Sequence, residues 1–164
     1  PDGEFQVNPI FLNDENKEKL QASLLLFYSG KQRVASDIET EKIKNINNLK
    51  SQMWRVNDIT NEALNVLKKP KLDLGEYAKL LDETWQIKKS LSDKVSGEEI
   101  NLAYEKALSF GALGGKLLGA GGGGFMLLLV PRKSQAAVIK ALEPMLNVPF
   151  SFESQGTCIP FFSR

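Results

Sequence analysis

The sequence predicts an α+β fold, a small and largely antiparallel sheet with helices over one face. Three observations carry this expectation. The 164 residues are 42% apolar and 25% charged, ordinary globular composition and enough chain to bury the core of a single domain spanning 1–164. Two compact apolar runs, Leu24–Tyr28 (LLLFY) and Phe125–Val130 (FMLLLV), have the length and the bounding turn residues of buried strands. The tracts around them repeat apolar residues at helical spacing.

In chain order, residues 1–12 suggest a short extended piece that Pro9 confines to an edge or a connector. The first buried strand, Leu24–Tyr28, is closed by Ser29-Gly30. A polar tract from about Gln32 carries Val34, Ile38, Ile46, Leu49, Met53, Val56, Ala63 and Leu67 at roughly helical spacing. It is one long helix or two in series, ending before Pro70. A second helix follows Asp73, a good N-cap with Glu76 three residues on, and shows one face of Leu74, Tyr77, Leu81, Trp85 and Lys88. A third opens at Ser96-Gly97-Glu98-Glu99, an S-x-x-E capping box, and runs to Gly111, where glycine is the expected C-terminal cap residue. Then come the strand Phe125–Val130 closed by Pro131 and an alanine- and leucine-rich helix, Ser134–Leu146, frayed by Pro144. Two short strands, Val148–Glu153 and Thr157–Phe162, flank the turn Ser154-Gln155-Gly156. A ferredoxin-like core with extra helices inserted after its first strand fits this order.

Composition excludes several classes of function. Net charge is +1, with a pI near 8.3 and no run of five or six like charges, which argues against a nucleic-acid surface. The longest apolar run is far too short to span a membrane, which needs about 20 residues, and no signal-peptide pattern opens the chain. The only cysteine, Cys158, excludes an internal disulfide and fits a reducing, cytoplasmic setting. The absence of histidine removes the commonest general base and the usual zinc ligand, so a self-contained Ser–His or Cys–His machine is excluded.

One stretch stands apart. Eight of the 13 glycines fall between Gly111 and Gly124, in GALGGKLLGAGGGGFMLLLV. Eight ordered glycines cost about 4–8 kcal/mol relative to alanine, a cost hard to explain by packing alone. Glycine supplies positive φ and close backbone approach, so its N–H groups can surround an anion. Neither common phosphate motif fits. Gly115-Lys116 supplies the GK of a Walker A loop, but Phe110 occupies the first glycine position and Leu117 follows the lysine. Gly119–Gly124 satisfies G-x-G-x-x-G, but a helix is expected before it and a strand after it, the reverse of the dinucleotide fingerprint. Two non-functional readings stand beside the anion loop: a flexible linker, disfavoured by the apolar Leu117, Leu118 and Phe125, and a tight packing loop against another domain's backbone.

The stretch GALGGKLLGAGGGGF closely resembles the third conserved motif of the GHMP kinases, the superfamily of galactokinase, homoserine kinase and mevalonate kinase. It looks most like the branch that contains D-glycero-D-manno-heptose 7-phosphate kinase and the kinase half of L-fucokinase. Leu26–Ala35 resembles that branch's Y-T-G-x-x-R-x-A segment, with Ser29 where threonine is usual. Trp85–Ser92 resembles its W-x-x-K-[KR]-x-L-S segment, and the likeness runs from about Asn8 to Phe162.

The resemblance implies a ferredoxin-like domain forming the C-terminal half of a kinase about twice as long. The family's P-x-x-x-G-L-x-S-S-x-A loop, which wraps the ATP phosphates, does not occur here, nor does an initiator methionine. The expectation is therefore a C-terminal domain that is inactive alone, with no catalytic residue and no metal ligand of its own. Its partner would be the N-terminal kinase domain of the same polypeptide. The implied reaction is Mg²⁺-dependent transfer of the ATP γ-phosphoryl group to a sugar or sugar-phosphate hydroxyl, the anomeric one of a heptose phosphate. The loop Gly119, Ala120, Gly121, Gly122, Gly123 and Gly124 would brace the ATP loop and border the transfer site. Arg33 is either a sugar-phosphate ligand or a surface helix arginine. Lys116 faces an anion or covers apolar surface with its stem, while Lys88 and Lys89 are a solvated face or a substrate contact. Trp85 reads as core, and Asp73, Glu76, Ser96 and Glu99 as helix caps. An isolated domain would expose apolar surface and could form a homodimer. The competing reading is a stand-alone, non-catalytic ferredoxin-like module that binds a small anion or a partner protein.

Overall fold

A computed structural model describes residues 9–30, 50–91, 95–119 and 121–153. These form five helices and one four-stranded sheet. The two apolar runs pair with each other: β1 (Leu24–Tyr28) lies antiparallel to β3 (Phe125–Leu129), with Leu24 opposite Leu129 and Tyr28 opposite Phe125. On the far side of β3 lies β2 (Gly114–Leu117), and beyond β1 the short β4 (Leu146–Asn147). The order β2-β3-β1-β4, antiparallel throughout, is the ferredoxin-like arrangement expected.

No helix before β1 is expected from the sequence, yet α1 (Asp14–Ser23) is there. Its signals are local: Asn13 accepts the Asn16 N–H at 2.7 Å, and Asp14 and Glu15 complement the N-terminal dipole. Asn16 is buried and ties this helix to the chain after α2 (Lys50–Leu67). It donates to the carbonyls of Lys69 and Pro70 and accepts the Leu72 N–H at 2.9 Å. The part of the long helical tract that precedes Lys50 lies outside the described residues, as do the strand Thr157–Phe162 and the turn before it. Helix α3 (Leu74–Ser90) starts as expected, with Asp73 accepting the N–H groups of Gly75 and Glu76. The Glu76 carboxylate pairs with Lys69.

Three expectations are corrected. The capping box does not form: α4 (Glu98–Ser109) is capped by the extended backbone of Gly97, and Ser96 Oγ donates to Asn101 Oδ1 instead. The next helix, α5 (Arg132–Ala141), begins directly after Pro131 and stops at Leu142, because the residue before Pro144 disfavours helix. The expected strand Val148–Glu153 is absent. Its place is taken by β4, and only the Val148 N–H extends the pairing, to the Leu26 carbonyl, before Pro149 removes the next donor.

Alternation along the strands builds the core. Phe27, Met126, Leu128 and Leu117 face one side and pack with Trp85 of α3, Ile100, Tyr104 and Ala107 of α4, and Val138 of α5. A second cluster gathers at one end of the opposite face. There Leu129 and Leu24 meet Leu20 of α1, Ile59 and Val66 of α2, and Ala78 and Leu80 of α3. Helices α2 and α3 are also bridged by Arg55, which pairs with Glu62 and Glu83. No helix among the described residues is long and apolar enough to cross a membrane.

Candidate functional site

The glycine stretch does three different jobs in sequence. Helix α4 ends in a Schellman motif: the Gly111 N–H reaches Leu108 and the Ala112 N–H reaches Ala107, with Gly111 at φ 104°. That confirms the expected glycine stop. The next two glycines are strand residues, against the expectation that the stretch runs as a loop from helix to strand. A side chain on Gly114 would collide with the backbone of Ala78 on α3, and one on Gly115 with the backbone of β3. These two glycines are packing residues, which corrects the reading that packing explains little of the cluster. The true loop is the remainder, Leu118–Gly124, and it joins the two strands of a hairpin. A strand follows it rather than a helix, so the dinucleotide fingerprint stays excluded.

Within that loop the backbone is left-handed at Gly119, Gly121, Gly122 and Gly124, with φ between 70° and 115°. At Gly119 and Gly124 there is open space where a side chain would sit, so glycine is required there for conformation alone. Ala120 and Arg33 lie outside the described residues.

The loop is held at three points. At its exit, the Ser29 N–H donates to the Gly124 carbonyl at 2.9 Å, and the Gly124 N–H donates back to Ser29 Oγ at 3.0 Å. In the middle, the Gly122 N–H donates to the Val95 carbonyl at 2.7 Å, and Gly121 leaves no room for a side chain against Val95. At its entry, Lys88 Nζ donates to the carbonyl of Leu117 at 3.1 Å and to that of Gly119. Tyr28 and Phe125 pack across β1 and β3 beside the exit, 5.2 Å between ring centroids with the rings tilted by 43°. A cleft of about 300 Å³ between α4 and the turn after α5 also borders Ser29.

The named lysines therefore separate. Lys88 is turned onto the loop's own carbonyls. Lys89 lies over the Trp85 ring, 5.8 Å from its centroid, and Trp85 is core as expected. Lys116 projects from β2 between Gly114 and Leu118 on the face that also carries Leu127, and burial, which disfavours the charged ammonium, pushes its pKa down. Two residues of this region have no signal in sequence. Val95 contributes a backbone carbonyl and a close backbone packing contact to the loop. Tyr104 donates its hydroxyl to Asp82 at 2.7 Å and, more weakly, to Gly115 O at 3.3 Å. Burial and then the Asp82 carboxylate raise the Tyr104 pKa, which keeps it a donor. Ser29, by contrast, was legible as the turn residue ending β1.

Fold and loop together define a class: a ferredoxin-like α+β domain whose β2–β3 hairpin ends in a clamped, left-handed glycine loop. The family described as GHMP kinases C terminal matches residues 60–144, more than half of the chain, from within α2 to just past α5. The chain belongs to this family. It is 33% identical over 153 residues to the D-glycero-alpha-D-manno-heptose 7-phosphate kinase of Campylobacter jejuni, covering 92% of this chain and 45% of that protein. Among solved structures, a D-glycero-D-manno-heptose 1-phosphate kinase from Bacteroides thetaiotaomicron is 26% identical with a TM-score of 0.53, over 90% of this chain and 38% of that one. The mevalonate kinase of Methanococcus jannaschii shares the fold at a TM-score of 0.67 and 24% identity, over 83% of this chain and 42% of that one. The chain thus spans less than half the length of the relatives it matches.

Proposed function

We propose that this chain is the C-terminal domain of an ATP-dependent sugar-phosphate kinase, with a heptose 7-phosphate as substrate and its anomeric hydroxyl as acceptor. The single observation that supports it most is the loop Leu118–Gly124: left-handed glycines, fixed from three directions, at the end of a hairpin. Phosphoryl transfer asks a protein mainly for positioning and for positive potential near the transferred group. Glycine amides supply that potential without bulk. The loop forms one wall of the transfer site, and the N-terminal domain of the same polypeptide supplies the ATP-wrapping loop and the catalytic acid. Residues 119–124 fit a phosphate-facing role. In this reading Mg²⁺ would travel with the nucleotide and be liganded by the other half. Arg33 and Lys116 are the candidates here for the sugar phosphate. The setting is the cytoplasm, where ATP is available.

The test is an assay of the full polypeptide containing this chain, with ATP, Mg²⁺ and a panel of sugars and sugar phosphates. Transfer to heptose 7-phosphate in preference to unphosphorylated sugars is expected. A full polypeptide that binds no ATP would refute the kinase assignment and leave the stand-alone binding module. Robust turnover by residues 1–164 alone would refute the need for the other half.

A further inference from the structure

We propose that Lys88 is a positioning residue for phosphoryl transfer, one that acts through the glycine loop and not by touching substrate. The inference rests on the kinase reading above for its catalytic consequence, but its structural basis is independent. Strand β2 is the edge of the sheet. Along it, Gly114, Lys116 and Leu118 face β3 with their backbone groups, as the bond from the Leu118 N–H to the Phe125 carbonyl shows. The carbonyls of Gly115, Leu117 and Gly119 therefore point outward, a row of bare acceptors of the kind that edge strands must cover. Side chains from two helices cover all three. Tyr104 of α4 donates to Gly115, and Lys88 of α3 donates to both Leu117 and Gly119.

A neutral donor would suffice to cover an edge. Lys88 does more, because its two carbonyls straddle the point where β2 ends and the left-handed turn at Gly119 begins. One ammonium group joined to both carbonyls fixes the direction in which the loop leaves the sheet. It also draws carbonyl oxygens, which repel phosphate, onto the α3 side. The ammonium is itself well placed to hold position. Lys88 is one helical turn beyond Trp85, which is 1% exposed and packed in the core. The middle clamp at Val95 and the exit clamp at Ser29 use backbone or hydroxyl groups. Only the entry clamp carries a full charge, so among the three it is the one that a single substitution removes without altering the backbone.

The experiment uses the full kinase polypeptide and the variants Lys88→Met and Lys88→Arg. Met keeps the stem and loses the charge, while Arg restores donors that can reach both carbonyls. The readouts are amide hydrogen exchange in Gly122 and Gly124, and kcat and KM for ATP and for heptose 7-phosphate. For Lys88→Met, exchange in the loop rises about tenfold while amides of β3 keep their protection. Turnover falls about 10- to 100-fold with either KM changed less than about threefold, and Arg recovers most of kcat. A large rise in KM with unchanged loop exchange would mean a substrate contact and overturn the proposal. Faster loop exchange with unchanged kcat would make Lys88 an edge cover only, and overturn it too. If Lys88→Met does not fold, Lys88→Gln, which loses the charge and carries its two N–H donors on a shorter stem, is measured in its place with the same directions of change. If the wild-type polypeptide transfers no phosphate, the kinase reading fails, and the exchange measurement alone still decides whether Lys88 fixes the loop.

Discussion

Replacing Gly114 by alanine should damage this domain more than replacing Gly119, although Gly119 is the one with the unusual backbone. The two positions separate the two reasons a glycine is needed. At Gly114 the backbone is ordinary strand, but an added Cβ would meet the Ala78 carbonyl carbon at 3.0 Å, with its oxygen nearer still. Carbon pairs settle at about 3.5–4.0 Å, so α3 and β2 must part by several tenths of an ångström or more. The obstacle is backbone, not the end of a flexible side chain. Overpacking of this kind costs about 1–3 kcal/mol, and the upper part of that range applies because a helix must move. The loss of freedom in the unfolded chain returns about 0.4–1 kcal/mol. A net loss near 2 kcal/mol follows, which for a chain this long lowers the melting temperature by about 4–8 °C. At Gly119 an alanine meets nothing within 4 Å and is held at φ 70°, a strain of about 1–2 kcal/mol offset by the same entropy gain. Its net loss is about 1 kcal/mol or less. Asparagine at 119, which tolerates the left-handed region, should lose less again, whereas asparagine at 114 should be worse than alanine. Urea unfolding of the 164-residue chain measures all four. Equal losses for Gly114→Ala and Gly119→Ala, or a smaller loss at 114, would refute the argument that helix α3 presses on the edge strand.

Asn16→Ala should cost about 1–3 kcal/mol, because it leaves the Leu72 N–H unpaired beside a buried residue; a thermal melt unchanged from wild type would show that water replaces the amide. Tyr104→Phe removes a hydroxyl bonded to a carboxylate and to the edge carbonyl of Gly115, and a loss of about 1.5–3 kcal/mol is expected for a bond to a charged group, read from the same urea curves. Asp73→Ala should lower stability at neutral pH by removing the cap of α3. The N–H groups of Glu76 and Gly75 hold the Asp73 pKa below its usual value of 3.8. Its contribution is therefore complete above pH 3.8 and disappears as pH falls through the lower, folded value. Melting curves of wild type and variant should converge in strong acid, and a difference that persists unchanged there would mean that the carboxylate charge is not what caps the helix.

Much of this domain is written locally. The apolar runs Leu24–Tyr28 and Phe125–Val130 become β1 and β3 almost to the residue, because a run of that length flanked by turn residues has nowhere to go but a sheet interior. Asp73 and Gly111 cap their helices because capping is a matter of one side chain or one φ angle. The α1 helix was equally legible, from Asn13 and the acidic first turn, but its residues Asn16–Ser23 show no clear apolar stripe, and periodicity passes over it. The Ser96 box failed for a different reason. Its pattern was correct, but the helix starts one residue later, at Gly97, which caps with backbone alone, and the Ser96 hydroxyl is held against Asn101 instead.

The strand hidden in the glycines was not legible at all. Gly114-Gly115-Lys116-Leu117 has neither strand propensity nor alternation, since glycine lowers both. It is a strand because β3 offers a partner on one side and α3 closes over the other, and glycine is there because both come too close for a side chain. By itself, the sequence determined the fold class, the family likeness and the presence of a glycine loop with something to approach. Only the tertiary structure decided which glycines bend the chain and which make room. It also set the Lys88 ammonium on the carbonyls of Leu117 and Gly119, at the loop's entry. That division follows from distance: caps and apolar runs depend on neighbours a few residues away, whereas Ala78 and Gly114, or Lys88 and Gly119, meet only when the sheet and its helices have come together.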